Sequence, residues 1–391
     1  MTLAAPERGA RDDLIVLCAT SRYDDIPMGD WHLAKALSRT APVLFVDPPM
    51  SWLTPLKHPD ARGALTRPRL TMVRPGTARL TPVVQPCPSR PGMAGLATLL
   101  TRRHLRRALA RLGGRVAAVI SGWPLYPVHG ACGERVSVYW AKDDFVGGAA
   151  LLGENSRLLA VRERRIACAA DLVVAANPVV ASTWRSRGLH PLLIPFGTDA
   201  DAYLDVDNAP LPPDAGLPAP VMGFVGRINS RTDLSLLEGI ASRGRSLLLV
   251  GPKDPGFEPE RFAALASRPN VRWVGPKPFE VLPSYMRVID VGLVPYRDSA
   301  FNRGSFPLKT LEYLAAARAV VGTDLPATRW LATDLVCIAN GPVEFADQAD
   351  RLAAARRTPE IAARRREFAS RHSWAGRAQE VYAAINAHCP D

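Results

Sequence analysis

Lys309 and Glu312 stand three residues apart in SFPLKTLEYLAA. On a helix that spacing places an ammonium and a carboxylate on one stripe, next to an apolar face of Leu308, Leu311 and Ala315. Gly304 and Ser305 lead into Pro307, a residue suited to a first helical turn. A helix opening at Pro307 and Leu308 aims free N–H groups and a positive dipole end outward, an arrangement that suits a diphosphate. Lys309 would neutralise a phosphate there, and Glu312, one turn in, would accept from a ribose diol. The bland alternative for the pair is a surface ion pair worth only about 0.2–0.5 kcal/mol. Upstream, FVGRI sets Gly226 and Arg227 just past an apolar strand. Glycine admits a ligand to the backbone and arginine clamps phosphate. An ordinary strand-ending glycine with a surface arginine is the other reading. In the first half, VSVYW runs into Ala141, Lys142, Asp143 and Asp144. Paired carboxylates at a strand's carboxyl end suit activation of an acceptor hydroxyl, if one raises the pKa of the other. Asp143 is the preferred base and Asp144 its companion; a helix N-cap is the competing role. Asp30 reads as a pure N-cap.

Other chemistries lack their signatures. The chain has no GxGxxG, no GxxxxGK[ST] and no GxSxG. Asp199 with Asp201, and Asp205 with Asp207, have DxD spacing, but acidic turn residues are common in the linker where they lie, and no metal is expected. His32, His129 and His190 lack metal-marking spacing. The six cysteines are scattered without a CxxC, which fits reduced thiols.

These residues need a scaffold. Short apolar runs at Asp13–Thr20, Pro42–Val46, Val116–Ser121, Val136–Trp140 and Asp171–Ala176 read as buried strands, with helices at Asp30–Arg39 and Leu158–Ala170. After the Pro- and Asp-rich stretch Leu192–Pro220 the pattern restarts. Strands are expected at Val221–Val225, Ser246–Val250, Val271–Val274, Val288–Pro295 and Ala319–Gly322, and helices at Leu234–Ser242 and Pro307–Ala316. The tail Ala362–Ala387 reads as helical. Strands alternating with helices imply two doubly wound α/β domains facing a cleft. The expected division is residues 1–190 as a first domain, 191–220 as linker, 221–370 as a second domain, and a helix over 371–391 returning to the first. At 391 residues, 47% apolar and 22% charged, the chain has ordinary globular composition. It has no apolar run of about 18 residues, and its start lacks a leader pattern, so export is not expected.

The formal charge of +12 is uneven: residues 1–190 hold 26 basic and 14 acidic side chains, residues 191–391 hold 23 of each. The densest part is Arg102, Arg103, Arg106, Arg107 and Arg111, whose helical face opposes Leu105, Leu109 and Leu112. A solvated basic face is the plain reading. An anionic membrane surface bound through the Arg102–Arg115 segment is the sharper one. Nucleic acid is not expected, since aromatics do not interleave with the arginines.

GFVGR, LVGP, NVRWVGPKPFEVLPSYMRVIDVGLVPY and SFPLKTLEYLAAARAVVGT together resemble the donor-binding half of GT-B glycosyltransferases of family 4, teichuronic-acid type. LIPFGTD resembles the family's IPNGVD linker, with Phe196 for Asn and Thr198 for Val. The resemblance implies a UDP- or GDP-sugar donor, no separate cofactor and no metal requirement. It assigns Arg227 and Lys309 to the diphosphate, Glu312 to the ribose and the backbone of Gly275–Leu282 to the base. The chain departs from the pattern at Gly304, where a glutamate is usual, and at Ala317, where glycine is. Arg231 stands near the position of an absent phosphate lysine. The expectation is a retaining, cytoplasmic sugar transferase, peripheral on the inner face of the membrane, that uses a glycan, lipid-linked or small-molecule acceptor. A nucleotide-sugar epimerase and a non-catalytic nucleotide-sugar-binding protein are the alternatives.

Overall fold

A computed structural model describes residues 13–57, 62–88, 90, 92–306 and 308–388. Pro307 lies outside them. The chain divides into two compact units: one runs to Ala176 and adds Val180–Pro195 and the residues from Arg377; the other comprises Asn177–Val179 and Phe196–Gly376.

The first unit is built on ten strands: β1 (Asp13–Cys18), β2 (Val43–Val46), β3 (Met50–Ser51), β4 (Leu70–Arg74), β5 (Thr77–Leu80), β6 (Val83–Val84), β7 (Arg115–Ser121), β8 (Val136–Ala141), β9 (Leu172–Ala175) and β10 (Leu192–Leu193). Its main sheet has the order β10-β9-β8-β7-β1-β2-β5-β4 and is parallel except for β4 against β5. Strands β1, β2, β7, β8 and β9 are near-continuous apolar runs, the pattern of strands buried on both faces. Leu105, Ala108 and Leu112 of helix Ala94–Leu112 pack on Leu14, Val16, Leu44 and Val46. Ile166, Ala167 and Trp184 pack beside Tyr139 and Val173. Apolar patterning gave no sign of β5 (TARL), because its Arg79 is buried in an ion pair with Asp47 at 2.8 Å.

The second unit carries β11 (Val221–Val225), β12 (Ser246–Val250), β13 (Val271–Trp273), β14 (Val291–Val294), β15 (Ala319–Thr323) and β16 (Val336–Ala339) in the order β13-β12-β11-β14-β15-β16. Every pair is parallel. The order reverses direction at β11/β14, as in dinucleotide-type doubly wound sheets, and such a sheet binds ligands beyond its carboxyl ends at that point. The first unit has the same reversal at β1/β7.

The helical tail expected over Ala362–Ala387 consists of two helices, Pro359–Arg371 and Trp374–Ala387. The break falls where Thr198 donates to the His372 carbonyl at 2.8 Å and accepts from the Trp374 N–H at 3.1 Å. Gly197 permits this approach, since a Cβ there would stand 2.5 Å from the Trp374 nitrogen. Hydrophobic spacing is blind to such a backbone bridge. Among the described residues no helix is long and apolar enough to cross a membrane.

A buried carboxyl gives the first unit a measurable pH signature. Glu163 on helix Ser156–Cys168 accepts from the Tyr139 hydroxyl at 2.8 Å, and burial outweighs that bond and Arg187, pushing its pKa up to about 7 from 4.5. The folded state therefore holds a proton that the unfolded chain has released, and stability falls as pH rises from about 4.5 to about 7, by up to roughly 3 kcal/mol. Glu163→Gln keeps an acceptor for Tyr139. It is expected to flatten that slope in urea titrations, matching the parent at pH 4.5 and exceeding it at pH 8.

Candidate functional site

In the second unit, the carboxyl edge at the β11/β14 switch gathers most of the residues singled out above. Gly226 follows β11, its N–H donating to the Val250 carbonyl at 2.8 Å. Arg227 is half exposed and paired with Asp254 at 2.9 Å. Beyond β14, Arg231 donates from Nε to the Asn302 Oδ1 at 2.8 Å, with its guanidinium over the rings of Tyr296 and Phe301. Asn302 is buried and returns both amide hydrogens to the Arg231 and Arg297 carbonyls, so the loop after β14 is pinned.

Helix Leu308–Ala315 starts at this same edge, because it leads from β14 back to β15. Lys309 Nζ meets Glu312 Oε2 at 2.7 Å, and the Tyr203 hydroxyl donates to that same oxygen at 3.3 Å. The Glu312 side chain is 6% exposed and that of Lys309 24%, so the pair is not the plain surface ion pair. Sequence reasoning missed Tyr203, which sits in the linker with no periodic signal. Tyr313 fixes the helix to the sheet: its hydroxyl accepts from the Val225 N–H at 2.8 Å and donates to the Gly223 carbonyl at 3.1 Å. Gly292 makes room for it, since a Cβ there would lie 2.3 Å from the ring. Gly304 closes the short helix Ala300–Arg303, and its carbonyl accepts from the buried Asn177 amide at 2.7 Å. Ala317, in the glycine position of the pattern, holds a left-handed φ of 57° and continues the helix C-cap.

In the first unit, Asp143 and Asp144 follow β8 and are both half-buried. Asp144 Oδ1 accepts from the Gly147 N–H at 2.8 Å, so its carboxylate is held by a turn. The Asp143 carbonyl accepts from the Phe145 N–H at 3.0 Å. The N-cap role expected of Asp30 is not what the structure shows. Met28 is the cap, and Asp30 is fully buried inside the first turn of helix Gly29–Leu37. Its Oδ2 accepts from the Thr20 hydroxyl at 2.7 Å, the Thr20 N–H at 3.0 Å and Lys142 Nζ. This cluster lies beyond β1, β7 and β8, with Gly122 so close that a Cβ would stand 3.1 Å from Asp30 Oδ1. The capping reading failed because helix spacing cannot show a partner 112 residues away.

On the basic helix, Arg102 donates to the carbonyls of Pro127 and His129, and Arg106 to that of Ala131. Arg103, Arg107 and Arg111 are exposed, as are Leu96 and Leu99 toward the other end.

Residues 219–355 match the family described as Glycosyl transferases group 1. A 110-residue stretch is 41% identical to the putative teichuronic acid biosynthesis glycosyltransferase TuaH of Bacillus subtilis (strain 168). That stretch is 28% of this chain and 28% of that relative. Sucrose-phosphate synthase from Thermosynechococcus elongatus superposes over 96% of this chain and 98% of its own, with a TM-score of 0.73 at 17% identity. Anabaena HepE in complex with UDP-glucose does so over 96% and 99%, with a TM-score of 0.65 at 14% identity. The chain has the GT-B fold, and within it residues 219–355 are similar to the group 1 glycosyltransferases.

Proposed function

We propose that the protein transfers a sugar from a nucleoside-diphosphate sugar, UDP- or GDP-linked, to an acceptor hydroxyl. The observation that carries this is the Lys309–Glu312–Tyr203 array at the start of a helix facing the β11/β14 switch point. There Lys309, Arg227 and the helix N–H groups meet the charge that develops on the departing diphosphate, a preorganised electrostatic role. Arg231 adds a third cation, Gly226 a close backbone approach, and Glu312 an acceptor for the ribose. These cations do for the phosphates what a divalent ion does elsewhere, so no metal is required. Asp143 acts as base toward the acceptor, Asp144 being held by its turn. HepE binds UDP-glucose, which supports the UDP choice. Retention at the reacting carbon rests on fold analogy. TuaH, a glycosyltransferase by name, supports transfer over epimerisation.

TuaH, a teichuronic acid biosynthesis glycosyltransferase by name, supports a cell-envelope glycan as acceptor. The exposed Leu96, Leu99, Arg103, Arg107 and Arg111 suit a cytoplasmic protein resting on an anionic membrane, where a lipid-linked acceptor would be met.

A thermal-shift screen of UDP-, GDP-, ADP- and dTDP-sugars tests the reading, with donor turnover measured on each hit, with and without anionic vesicles. A UDP- or GDP-sugar should stabilise by about 2.7 kcal/mol at a hundredfold excess over Kd. Failure of every nucleotide sugar to bind would sink it, and turnover to a new nucleotide sugar without acceptor would favour the epimerase. Failure to float with anionic vesicles at low salt would remove the membrane role alone.

A further inference from the structure

The second unit carries an unbalanced charge cluster at the amino-terminal edge of its sheet, away from the residues above. Asp207, in the short turn Val206–Asn208, accepts from Arg318 at 2.7 Å, Arg357 at 3.0 Å and Arg366 at 3.1 Å. Three guanidiniums thus share one carboxylate. Arg365, beside Arg366 on helix Pro359–Arg371, donates to the Ala317 carbonyl at 3.1 Å. Arg287 donates to the Ala209 carbonyl, two residues from Asp207. The second carboxylate whose charge reaches Arg318 is Asp290, which accepts from the Val221 N–H at 2.7 Å. Asp207 therefore meets three arginines directly, and Arg365 is close enough for the charges of Arg318 and Arg357 to act on it.

Solvent does not dissolve this imbalance. Arg318 is 3% exposed, and its Nε, like those of Arg365 and Arg366, is buried without an acceptor. Burial, and then the charge of Arg357, hold the Arg318 guanidinium below its usual pKa. Burial, Arg357 and Arg318 do the same to Arg365. Like charges held this close need a counter-charge, and one two-oxygen carboxylate is too small for three planar forks. A tetrahedral dianion offers more acceptor oxygens to the same donors. Arg357 and Arg366 are each about one-third exposed and give access, with Arg318 as the buried floor.

We propose that Arg318, Arg357 and Arg366 form a binding site for a compact phosphate-bearing anion, for which Asp207 is the built-in competitor. The anion lies against the exposed edges of Arg357 and Arg366 and takes over donors that Asp207 now occupies.

The test is calorimetric titration of inorganic phosphate into the full chain, with ionic strength held constant by chloride. A saturable site that persists in the Lys309→Ala chain is expected. The double variant Arg357→Gln, Arg366→Gln removes two exposed side chains and should weaken binding by at least about tenfold. Asp207→Asn should tighten it, because the competitor loses its charge. Lys309→Ala should leave it unchanged, which separates this site from the donor-side helix. Phosphatidate vesicles retained by the parent and not by the double variant would make a lipid headgroup the source; saturable uptake of free phosphate alone would make it a soluble anion. Absence of saturable binding overturns the proposal, as does binding lost in Lys309→Ala and kept in the double arginine variant. Weaker binding by an Asp207→Asn chain with a parent-like melt overturns the competition.

Discussion

Replacing Glu312 with alanine is expected to raise the Kd for the nucleotide sugar by about 10–100-fold, and Lys309→Ala to lower kcat by about 10²–10³-fold. The two effects should differ because, in the proposed site, the residues would meet different parts of the donor. Glu312 would hold the ribose equally in ground and transition states, so its loss should appear in binding. Lys309 would face negative charge that grows only as the leaving diphosphate departs, so its loss should appear in turnover. Before the donor arrives, each satisfies the other at 2.7 Å, and Tyr203 completes the carboxylate's shell. Alanine at 312 leaves a half-buried ammonium and a buried phenol without that partner, costing about 1–3 kcal/mol of stability. Glu312→Gln returns an acceptor to Tyr203 and should recover most of the stability, while ribose binding stays weak because the charged acceptor is gone. Measuring donor Kd, kcat and a urea midpoint for the three variants separates the roles. If turnover and donor affinity change no more than a surface pair worth about 0.2–0.5 kcal/mol allows, the helix start is not the donor site.

The contrast between the two halves shows what a sequence carries. The helix Leu308–Ala315 was legible because its information is local: Lys309, Glu312 and the apolar face Leu311 and Ala315 lie within two turns, and the glycine-ended strand before Arg227 sits in five residues. Strands β1, β2, β7, β8, β9 and β11 to β15 were legible for the same reason, as short apolar runs, whereas β4, β5, β10 and β16 were not. What stayed hidden depends on distant partners. Tyr203 reaches Glu312 across 109 residues, Lys142 reaches Asp30 across 112, and Arg79 is buried only because Asp47 awaits it just past the neighbouring strand β2. The helix break at His372 and Ser373 is set by Thr198, whose backbone has no pattern to read. The charge count pointed to the first half of the chain, where the excess lies, and missed the arginines around Asp207. Those belong to a half whose total is zero.

Lys142→Met is expected to destabilise the first unit by about 3–5 kcal/mol, the cost of leaving a buried charge without its partner. Asp30 is 0% exposed, and the Lys142 side chain is 5% exposed. With the lysine gone, Asp30 keeps only the Thr20 hydroxyl and amide on one oxygen, while the other has no hydrogen bond at all. The double variant Asp30→Leu, Lys142→Met removes both charges and should recover most of that loss, since a well-packed apolar pair often replaces a buried ion pair without penalty. Urea unfolding of the single and double variants gives this comparison. The double variant then asks a second question. Lys142 immediately precedes Asp143, and its ion pair ties the end of β8 to the helix after β1. If the pair serves stability alone, the restored protein should transfer sugar at the parent rate. If it fixes where Asp143 points, kcat should stay at least about tenfold low with donor Kd unchanged, because a base displaced by an ångström loses most of its effect. A double variant no more stable than Lys142→Met would mean that Thr20 and Gly122 pack against the charges so closely that no apolar pair fits.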